Sequence, residues 1–443
     1  EGFLERMRSI PSFDEAAFLK SLDAPRVRAI RMGSLKVDDS ALAHAPAKDP
    51  IPWEEGAYAA GEFSGNDIAH RIGMYYAQEP AAMQPVSALN WQSDWHVLDL
   101  CASPGGKTHQ LACRLTDGFL VSNEIVPSRA RTLLSNAERM GMGRIAVTNA
   151  APDVLAKHLA GAFDAILVDA PCSGEGLFRR DPEAMNEWAP ERSDGCAQRQ
   201  MEILTQADKM LKAGGYLVYS TCTFSAQENE YVTAWLVNEL GYTLVPAKDP
   251  VVQHSAPGMD IDGISYENSR RYYPYLGCGE GQFLAVLQKG DGEVPRAKGK
   301  DAALSRPTKD MQKLCDAFLK ETLGKYDGEV LLHKDTLVLV PYDRVELPQS
   351  VRPLRIGTAI GTVEKGRMIP HHHFFSAMGK YFLHKLELSM DDPRAAAYLR
   401  GEELDAEGMA DGHAVVMIEG CAAGGVRIKK GRAKNLYPKG LRG

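Results

Sequence analysis

Short apolar runs alternate with amphipathic stretches through the middle of the chain, from about residue 79 to 290. Apolar residues recur at helical spacing in Ser128–Met140 and Gln198–Leu211, which predicts helices that bury one face. Ser225 and Glu228 form a capping-box pattern that predicts a further helix start. The runs between the helices are typical of buried strands and comprise His96–Leu100, Phe119–Asn123, Arg144–Thr148, Ala165–Asp169 and Tyr216–Ser220. This alternation predicts an α/β fold with a mostly parallel sheet covered on both faces.

The first segment of the chain shows a mixed pattern that differs from the middle region. Within residues 1–78, Phe3–Leu22 has helical spacing and Val27–Val37 is strand-like. These two stretches predict that residues 1–78 form a small domain of mixed helix and strand.

The last third of the chain combines a polar segment with short strand candidates. Residues 291–310 are polar and contain two prolines and two glycines, so we expect a linker there. Residues 311–443 contain Val330–Val340 and Ala414–Glu419, which alternate with glycine-punctuated turns. This pattern predicts a small, curved β-rich region.

Composition and charge restrict the class of protein. The 443 residues carry a net charge of −7, and no apolar run approaches the roughly 20 residues that span a bilayer. The eight cysteines include no C-x-x-C pair, which predicts a reduced, cytoplasmic protein without a zinc site. The stretch from residue 426 to 443 contains no acidic residue, and its basic residues are Arg427, Lys429, Lys430, Arg432, Lys434, Lys439 and Arg442. This pattern predicts either a solvated tail or a patch that binds phosphates.

A loop with two adjacent glycines follows the first predicted strand of the middle region and opens a helix. It offers backbone N–H groups to a ligand and consists of Cys101, Ala102, Ser103, Pro104, Gly105, Gly106 and Lys107. A dinucleotide loop would need G-x-G-x-x-G, and a triphosphate loop would need glycine in place of Cys101. S-adenosylmethionine fits better, because Glu124 directly follows the second strand and can accept hydrogen bonds from ribose hydroxyls. A purely structural turn is the remaining alternative.

Two cysteines lie directly after predicted strands. Cys172 follows Asp169-Ala170-Pro171, and Cys222 follows Ser220-Thr221. Both thiols should therefore reach the edge of the sheet that carries the glycine loop. A single buried cysteine is usually an inert apolar residue, but two of them at strand ends, one beside an aspartate, favour a chemical role.

Methylation of carbon 5 of cytosine is a reaction that needs such groups. Carbon 5 becomes nucleophilic only after a thiolate adds to carbon 6, with help from an acid near ring nitrogen 3. A base must then remove the carbon 5 proton so that the thiolate can leave. Cys222, Cys172 and Asp169 can fill these three roles, and a target inside a duplex would have to be flipped out.

Four motifs in the middle region resemble the Sun/Fmu (NSUN-type) family of RNA 5-methylcytosine methyltransferases. They are DLCASPGGKT, NEIVPSR, VDAPCSGEGLFRRDP and YSTCTFSAQENE. The similarity covers nearly the whole chain and is closest to the bacterial RsmF type, which acts on 16S ribosomal RNA. Tyr75–Pro80 resembles the segment that leads into the catalytic domain, and Leu436–Arg442 resembles the end of the C-terminal PUA-like domain.

The resemblance implies a domain organisation. Residues 79–290 would form a Rossmann-like S-adenosylmethionine-dependent methyltransferase domain, and residues 1–78 a small N-terminal α/β RNA-binding domain. Residues 311–443 would include a PUA-like, β-rich RNA-binding domain. The implied partner is 16S ribosomal RNA or the small ribosomal subunit, bound by a monomer that has no contact with a membrane.

The resemblance also implies roles for individual residues. The cysteine of the S-T-C motif, Cys222, corresponds to the nucleophile, and the cysteine of the P-C motif, Cys172, to the residue that aids product release. Asp169 corresponds to the acid before the P-C motif. The implied cofactor-binding residues are Cys101 to Lys107 together with Glu124, Arg129, Asn149 and Asp169. The family often has an acid where this chain has Asn149, with Asp153 four residues on, so either residue could provide the adenine contact.

Two other functions remain open from the residues alone. A P-loop ATPase would use Ile166–Asp169 as its metal-binding strand, but it would leave both strand-end cysteines unexplained. A non-catalytic RNA-binding or ribosome-assembly protein would explain the basic end of the chain but not the cofactor loop. The run His371-His372-His373 is predicted to be a polar loop without metal.

Overall fold

The computed structural model of the chain describes residues 2–180, 185, 188–189, 191–277, 279–292 and 302–442. Part of the predicted linker 291–310 therefore lies outside the described residues. A short strand, Leu304–Ser305, and a helix that begins at Lys309 lie within its last part. Among the described residues, no helix is both long and apolar enough to cross a bilayer.

Residues 2–77 form a small antiparallel sheet with helices. The sheet has the strand order β2-β3-β1-β4. The predicted helix Phe3–Leu22 is two helices with Pro11 between them, and the strand-like stretch Val27–Val37 contains a shorter strand that ends before Gly33. The elements are α1 (Gly2–Met7), α2 (Glu15–Leu22), β1 (Arg28–Met32), β2 (Ala47–Pro50), β3 (Ala57–Ala60), α3 (Ile68–Arg71) and β4 (Tyr75–Ala77).

The middle region forms the predicted α/β domain. Its strands β7, β6, β5, β8 and β9 pair in parallel in that order, and antiparallel strands extend the sheet beyond β9. The elements are α4 (Gln84–Ser87), β5 (His96–Asp99), α5 (Gly106–Ala112), β6 (Phe119–Asn123), α6 (Pro127–Arg139), β7 (Ile145–Thr148), α7 (Pro152–His158), β8 (Phe163–Asp169), α8 (Glu191–Met210), β9 (Leu211–Thr221), α9 (Glu230–Leu240), β10 (Thr243–Val245), α10 (Asp249–Gln253), β11 (Ala256–Pro257), β12 (Arg270–Tyr272) and β13 (Gln282–Gln288).

Successive residues of the central strands pack into two different cores. Val97 belongs to the core that contains Leu133 of α6, whereas Leu98 belongs to the core that contains Leu155 of α7 and Leu204 of α8. Because side chains alternate across a sheet, helices cover both faces, and the strands read as continuous apolar runs. The predicted doubly wound, Rossmann-like architecture is confirmed.

The region after residue 302 forms two further sheets and also extends the central one. The strand orders are β14-β15-β16-β18-β19 and β20-β22-β23-β24-β21, and β17 pairs antiparallel with β7 at the edge of the central sheet. The elements are β14 (Leu304–Ser305), α11 (Lys309–Thr322), β15 (Glu329–His333), β16 (Thr336–Val340), β17 (Pro353–Ile356), β18 (Thr358–Glu364), β19 (Arg367–Pro370), α12 (His372–Met378), β20 (Lys385–Leu388), α13 (Pro393–Arg400), β21 (Leu404–Asp405), β22 (Gly412–Ile418), β23 (Cys421–Lys429) and β24 (Arg432–Asn435).

The last sheet shares one hydrophobic core with the first. Ile30 and Tyr75 of the N-terminal sheet are in the same buried cluster as Val416 and Val426 of the C-terminal sheet and Tyr437, which follows its strand β24. The N-terminal and C-terminal sheets, which lie farthest apart in the sequence, therefore pack on each other. The basic end of the chain is part of this β-sheet core and is not a free tail.

Two local predictions are wrong. The histidine run is not a polar loop, because His371 caps α12 and the ring of His373 is buried with Nε2 3.1 Å from the carbonyl oxygen of Met142. Ser225 and Glu228 do not form a capping box, because α9 begins at Glu230 after Asn229. The carboxylate of Glu228 instead faces the turn that follows β8.

Candidate active site

The carboxyl ends of the central parallel strands meet at one edge of the sheet. Asp99 at the end of β5 pairs in register with Ser122 of β6 and Leu167 of β8, and Asp169 pairs with Ser220 of β9. The glycine loop, Glu124 and both strand-end cysteines follow these strands. The alignment brings the predicted site residues together at the edge where ligands bind in doubly wound folds.

The glycine loop is braced from two sides. Gly105 has a φ of +110°, a conformation that L side chains rarely adopt, and a Cβ there would lie 3.1 Å from Leu133. The side chain of Ser103 donates to the carbonyl of Arg129, and Arg129 donates back to the carbonyl of Ser103. On the other side, Arg31 of β1 donates to the carbonyl of Gly106 at 2.8 Å. The backbone of the loop is thus held open toward the sheet edge.

Glu124 lies where a ribose-binding carboxylate was predicted. Its side chain is buried; Oε1 accepts from the Val126 N–H at 2.9 Å, and Oε2 lies 3.5 Å from Nε of Arg129. The side chain of Asn149 donates to the carbonyls of Glu124 and Ile125 at 2.7 and 2.9 Å. Asn149 therefore shapes the turn that presents Glu124, and its contact with a cofactor stays a prediction. Asp153 lies in the first turn of α7.

A lysine and an aspartate form an ion pair between the glycine loop and the two cysteines. The ammonium of Lys107 lies 2.7 Å from Asp169 Oδ2, and the hydroxyl of Ser220 donates to Asp169 Oδ1 at 2.7 Å. Burial alone would lower the pKa of Lys107, but the negative charges of Asp169 and Cys222 raise the pKa above its ordinary value. Lys107 therefore places a positive charge near Cys222, a role that its position in the loop did not predict.

The two predicted cysteines contact each other. The Sγ atoms of Cys172 and Cys222 are 3.1 Å apart, and the backbone N–H of Cys222 donates to Cys172 Sγ at 3.3 Å. The hydrogen bond with Cys222 raises the pKa of Cys172, and burial and the charges of Cys222 and Glu228 raise it further. Cys172 therefore holds its proton more firmly than an ordinary thiol does, and it can donate that proton to Cys222 Sγ.

Residues that sequence reasoning did not assign to the site hold the cysteine turns. Glu228 accepts from the backbone N–H and the hydroxyl of Ser173, and from the amide of Gln200. Gln200 also donates to the carbonyl of Pro171. The only signal in the sequence for this role was the run Glu228-Asn229-Glu230 soon after Cys222. The local pattern around Glu228 predicts a helix cap instead.

The residues at this edge fit S-adenosylmethionine. The carboxylate of Glu124 can accept from ribose hydroxyls, and beside it the apolar side chains of Ile125 and Val126 are 56% and 40% exposed. Exposed apolar side chains next to a buried carboxylate suit a ligand that joins a hydroxylated sugar to a flat ring. The backbone N–H groups of the glycine loop can contact the remaining part of S-adenosylmethionine.

Comparison with known sequences decides the family. A profile described as 16S rRNA methyltransferase RsmB/F matches residues 86–288. Three others match residues 1–80, 317–378 and 385–443 and describe the N-terminal domain of 16S rRNA methyltransferase RsmF, the RsmF rRNA methyltransferase first C-terminal domain and the methyltransferase RsmF PUA domain. Ribosomal RNA small subunit methyltransferase F of Shewanella sp. (strain MR-4) is 31% identical over 96% of this chain and 92% of that protein. The chain belongs to the RsmF family.

Other comparisons agree with the RsmF assignment. Ribosomal RNA small subunit methyltransferase F of Escherichia fergusonii is 32% identical over 100% of this chain and 96% of that protein. The crystal structure of a methyltransferase homolog protein from Pyrococcus horikoshii is 28% identical, with a TM-score of 0.55 over 65% of this chain and 94% of that chain. The central domain of this RsmF-family chain is therefore a Rossmann-like methyltransferase domain, and its cofactor is S-adenosylmethionine.

Proposed function

We propose that this chain methylates carbon 5 of a cytosine in small-subunit ribosomal RNA through a covalent bond between Cys222 and carbon 6. The observation that carries the proposal is the pair of thiols 3.1 Å apart at the edge that holds the glycine loop. The names of the relatives support ribosomal RNA as the substrate. A single chain supplies both thiols, Lys107 and Glu124, which supports the proposal that the protein acts as a monomer. The cysteines of the described residues are free, which supports a location in the reducing cytoplasm.

The first step is the attack of Cys222 on carbon 6 of a cytosine. Cys172 holds its own proton in the hydrogen bond to Cys222, and the ammonium of Lys107 lies nearby. Positive charge and a hydrogen-bond donor both favour the thiolate form of a cysteine. The thiolate electron pair forms the carbon–sulfur bond, and the ring electrons move toward nitrogen 3.

A proton then has to reach ring nitrogen 3. The pair of Lys107 and Asp169 holds one proton between an ammonium and a carboxylate, and Ser220 fixes the orientation of the carboxylate. This pair can lend its proton to nitrogen 3, which keeps the addition product neutral. S-adenosylmethionine, when bound, supplies the methyl group that the electron-rich carbon 5 takes.

Cys172 is suited to remove the proton from carbon 5 in the last step. Once Cys222 is bonded to carbon 6, its hydrogen bond and its negative charge no longer raise the pKa of Cys172. Cys172 can then lose its proton more easily and act as the base. Removal of the carbon 5 proton forms the double bond between carbons 5 and 6 and expels Cys222 as a thiolate. Nitrogen 3 returns its proton to the Lys107–Asp169 pair, and 5-methylcytosine is released.

Release of hydrogen from carbon 5 tests the proposed reaction. Small-subunit RNA that carries tritium at carbon 5 of cytosine should release tritium to water only when S-adenosylmethionine is present. Sequencing after bisulfite treatment should then locate 5-methylcytosine in the same RNA. Methyl transfer without release of tritium would place the methyl group on another atom and overturn the proposal.

The affinity for S-adenosylmethionine should depend on Glu124. Glu124→Ala removes a buried carboxylate that would accept from the ribose, and each such charged hydrogen bond contributes about 1.5–3 kcal/mol. We expect the Kd to rise roughly 10- to 100-fold in titration calorimetry. Glu239→Ala, at an exposed position of α9, is the control. An unchanged Kd in a folded Glu124→Ala variant would remove this residue from the cofactor site.

The end of the chain should contribute phosphate contacts. In the β23–β24 hairpin, Arg427 lies opposite Lys434 and Lys429 lies opposite Arg432, and all four are exposed. Like charges directly opposite each other destabilise a hairpin. Glu403 already pairs with Arg432, so an anionic partner is expected to neutralise Arg427, Lys429 and Lys434. Replacing Arg427, Lys429 and Lys434 with glutamine keeps the strands in the shared core.

We expect this triple variant to bind RNA more weakly and with a smaller salt dependence. The slope of log affinity against log salt should fall by about 0.7–0.9 for each phosphate that the variant no longer neutralises. Affinity for S-adenosylmethionine should not change. Lys209→Gln, at an exposed position of α8, is the control. Equal slopes for the triple variant and the unmodified protein would exclude this hairpin from the RNA interface.

A further inference from the structure

Two consecutive residues directly before α9 contact the turns that carry the two cysteines. Glu228 and Asn229 are both fully buried, although acidic and amide side chains are seldom buried without a partner. They lie between β9 and α9, and Asn229 is the N-cap residue of the helix. Their side-chain polar atoms are satisfied by those two turns and by Gln200.

Glu228 holds the turn that carries Cys172. One carboxylate oxygen accepts from the backbone N–H of Ser173 at 2.9 Å and from the amide of Gln200 at 2.9 Å, and the other accepts from the hydroxyl of Ser173 at 2.5 Å. The same amide of Gln200 donates to the carbonyl of Pro171 at 3.0 Å. The residues on both sides of Cys172 are therefore connected to the carboxylate of Glu228.

Asn229 holds the turn that carries Cys222. Its Oδ1 accepts from the hydroxyl of Thr221 at 2.6 Å, and its Nδ2 donates to the carbonyl of Thr223 at 3.0 Å. The hydroxyls of Ser173 and Thr223 are 2.7 Å apart and join the two turns directly. Adjacent residues of one segment thus hold different turns, one for each thiol.

We infer that Glu228 is a positioning residue for Cys172, and that it governs the release of the product rather than the attack of Cys222. The inference rests on the proposed function, because it assigns Glu228 to the step in which Cys172 removes the carbon 5 proton. A carboxylate suits this position, since the backbone N–H, the hydroxyl and the amide all point donors at it. A side chain with only one acceptor oxygen would leave donors of the turn without partners.

The charges around Cys172 agree with this assignment. Burial raises the pKa of Glu228, and the charge of Glu175 adds to the effect although donors from Ser173 and Gln200 oppose it. The groups that raise the pKa of Cys172 itself are Cys222 on the neighbouring turn, and then Glu228. Cys196 of α8 and Tyr219 of β9 also lie in the field of Glu228. Removing the charge of Glu228 should therefore lower the pKa of Cys172.

Glu228→Gln tests the inference with the full-length protein, RNA substrate and S-adenosylmethionine. Glutamine keeps the volume but turns an amide donor toward the donors of Ser173 or Gln200. We expect the covalent RNA adduct to form at the unmodified rate and to break down roughly tenfold more slowly, the effect of losing one charged hydrogen bond. The breakdown rate should also reach its plateau at lower pH, because the pKa of Cys172 falls.

Three matched variants decide between the possible outcomes. Glu239→Gln makes the same substitution at an exposed position of α9 and should change neither rate. Ser173→Ala removes one donor from the carboxylate and should slow breakdown in the same direction, which keeps the test available if Glu228→Gln does not fold. Asn229→Ala should instead slow adduct formation, because it loosens the turn of Cys222.

The adduct that Cys172→Ala accumulates serves as the reference. If Cys172→Ala gives an adduct but Glu228→Gln resolves its own at the unmodified rate, the inference about Glu228 is wrong and the proposed function stands. Equal slowing of formation and breakdown, with no change in pH dependence, would mean a general structural role and would also overturn it. If Cys172→Ala gives no adduct at all, the proposed function itself fails.

Discussion

Cys222→Ala is expected to abolish methylation, whereas Cys172→Ala is expected to accumulate RNA that is methylated and still bonded to the protein. Removal of a covalent nucleophile should lower kcat by roughly 10⁴-fold or more, because carbon 5 stays unreactive without the bond to carbon 6. The two effects differ in kind because only Cys222 forms that bond. In the proposed reaction Cys172 acts after the methyl group has been transferred, so its loss should stop the reaction at the adduct.

Denaturing electrophoresis measures this difference directly. Cys172→Ala, mixed with substrate RNA and S-adenosylmethionine, should show a shifted band that survives denaturation. Cys222→Ala should show none, and the double variant should also show none because the bond-forming thiol is absent. Cys113→Ala, in which a free thiol outside the cysteine pair is removed, should methylate RNA like the unmodified protein.

Two other results would contradict the assignment. A stable adduct with Cys222→Ala but not with Cys172→Ala would reverse the two roles, although the raised pKa of Cys172 argues against this. Full methylation by both single variants would mean that the thiols are structural. In that case the Lys107–Asp169 pair would have to support a mechanism without a covalent bond.

The central domain and the position of the glycine loop could be predicted because they depend on short-range patterns. Strands buried on both faces give uninterrupted apolar runs, and each run ends in residues that point to the same sheet edge. The same reasoning predicts that Cys172 and Cys222 reach the sheet edge that carries the glycine loop, and in the structure their sulfur atoms are also in contact. The parallel register of β8 and β9 converts a spacing of 50 residues into a distance of 3.1 Å.

The role of Glu228 could not be predicted because its partners are distant in sequence. A serine followed three residues later by a glutamate has the same local pattern whether the glutamate caps a helix or reaches another turn. Here Ser173 and Gln200 offer donors from other elements. Those contacts satisfy a buried carboxylate, and the helix begins two residues later with Asn229 at its cap.

The packing of the outer domains also depends on long-range contacts. The sequence suggests separate modules, but β17 pairs with β7 of the central sheet, and the N-terminal and C-terminal sheets share a core. Nothing in the amphipathic pattern of a strand says which sheet it joins or which surface covers it. Edge strands with one apolar face can pack equally well within a module or between modules.

A buried ion pair braces the turn behind Cys222 from the other side. The guanidinium of Arg271 binds both carboxylate oxygens of Glu230, and its remaining nitrogen donates to the carbonyl of Phe224 at 2.9 Å. Glu230 also accepts from the backbone N–H of Met259. Both charged side chains are at most 1% exposed, so each depends on the other to offset its loss of hydration.

Arg271→Met should therefore lower the free energy of unfolding by about 3–5 kcal/mol, because it leaves the carboxylate of Glu230 buried without its counter-charge. The double variant Arg271→Met with Glu230→Met should be more stable than Arg271→Met alone, since no buried charge remains. Urea denaturation of the three proteins gives the order of stability. Arg400→Met breaks the exposed pair of Arg400 with Glu402 and should change stability little. A double variant less stable than Arg271→Met would show that packing, and not an unpaired charge, sets the cost at this position.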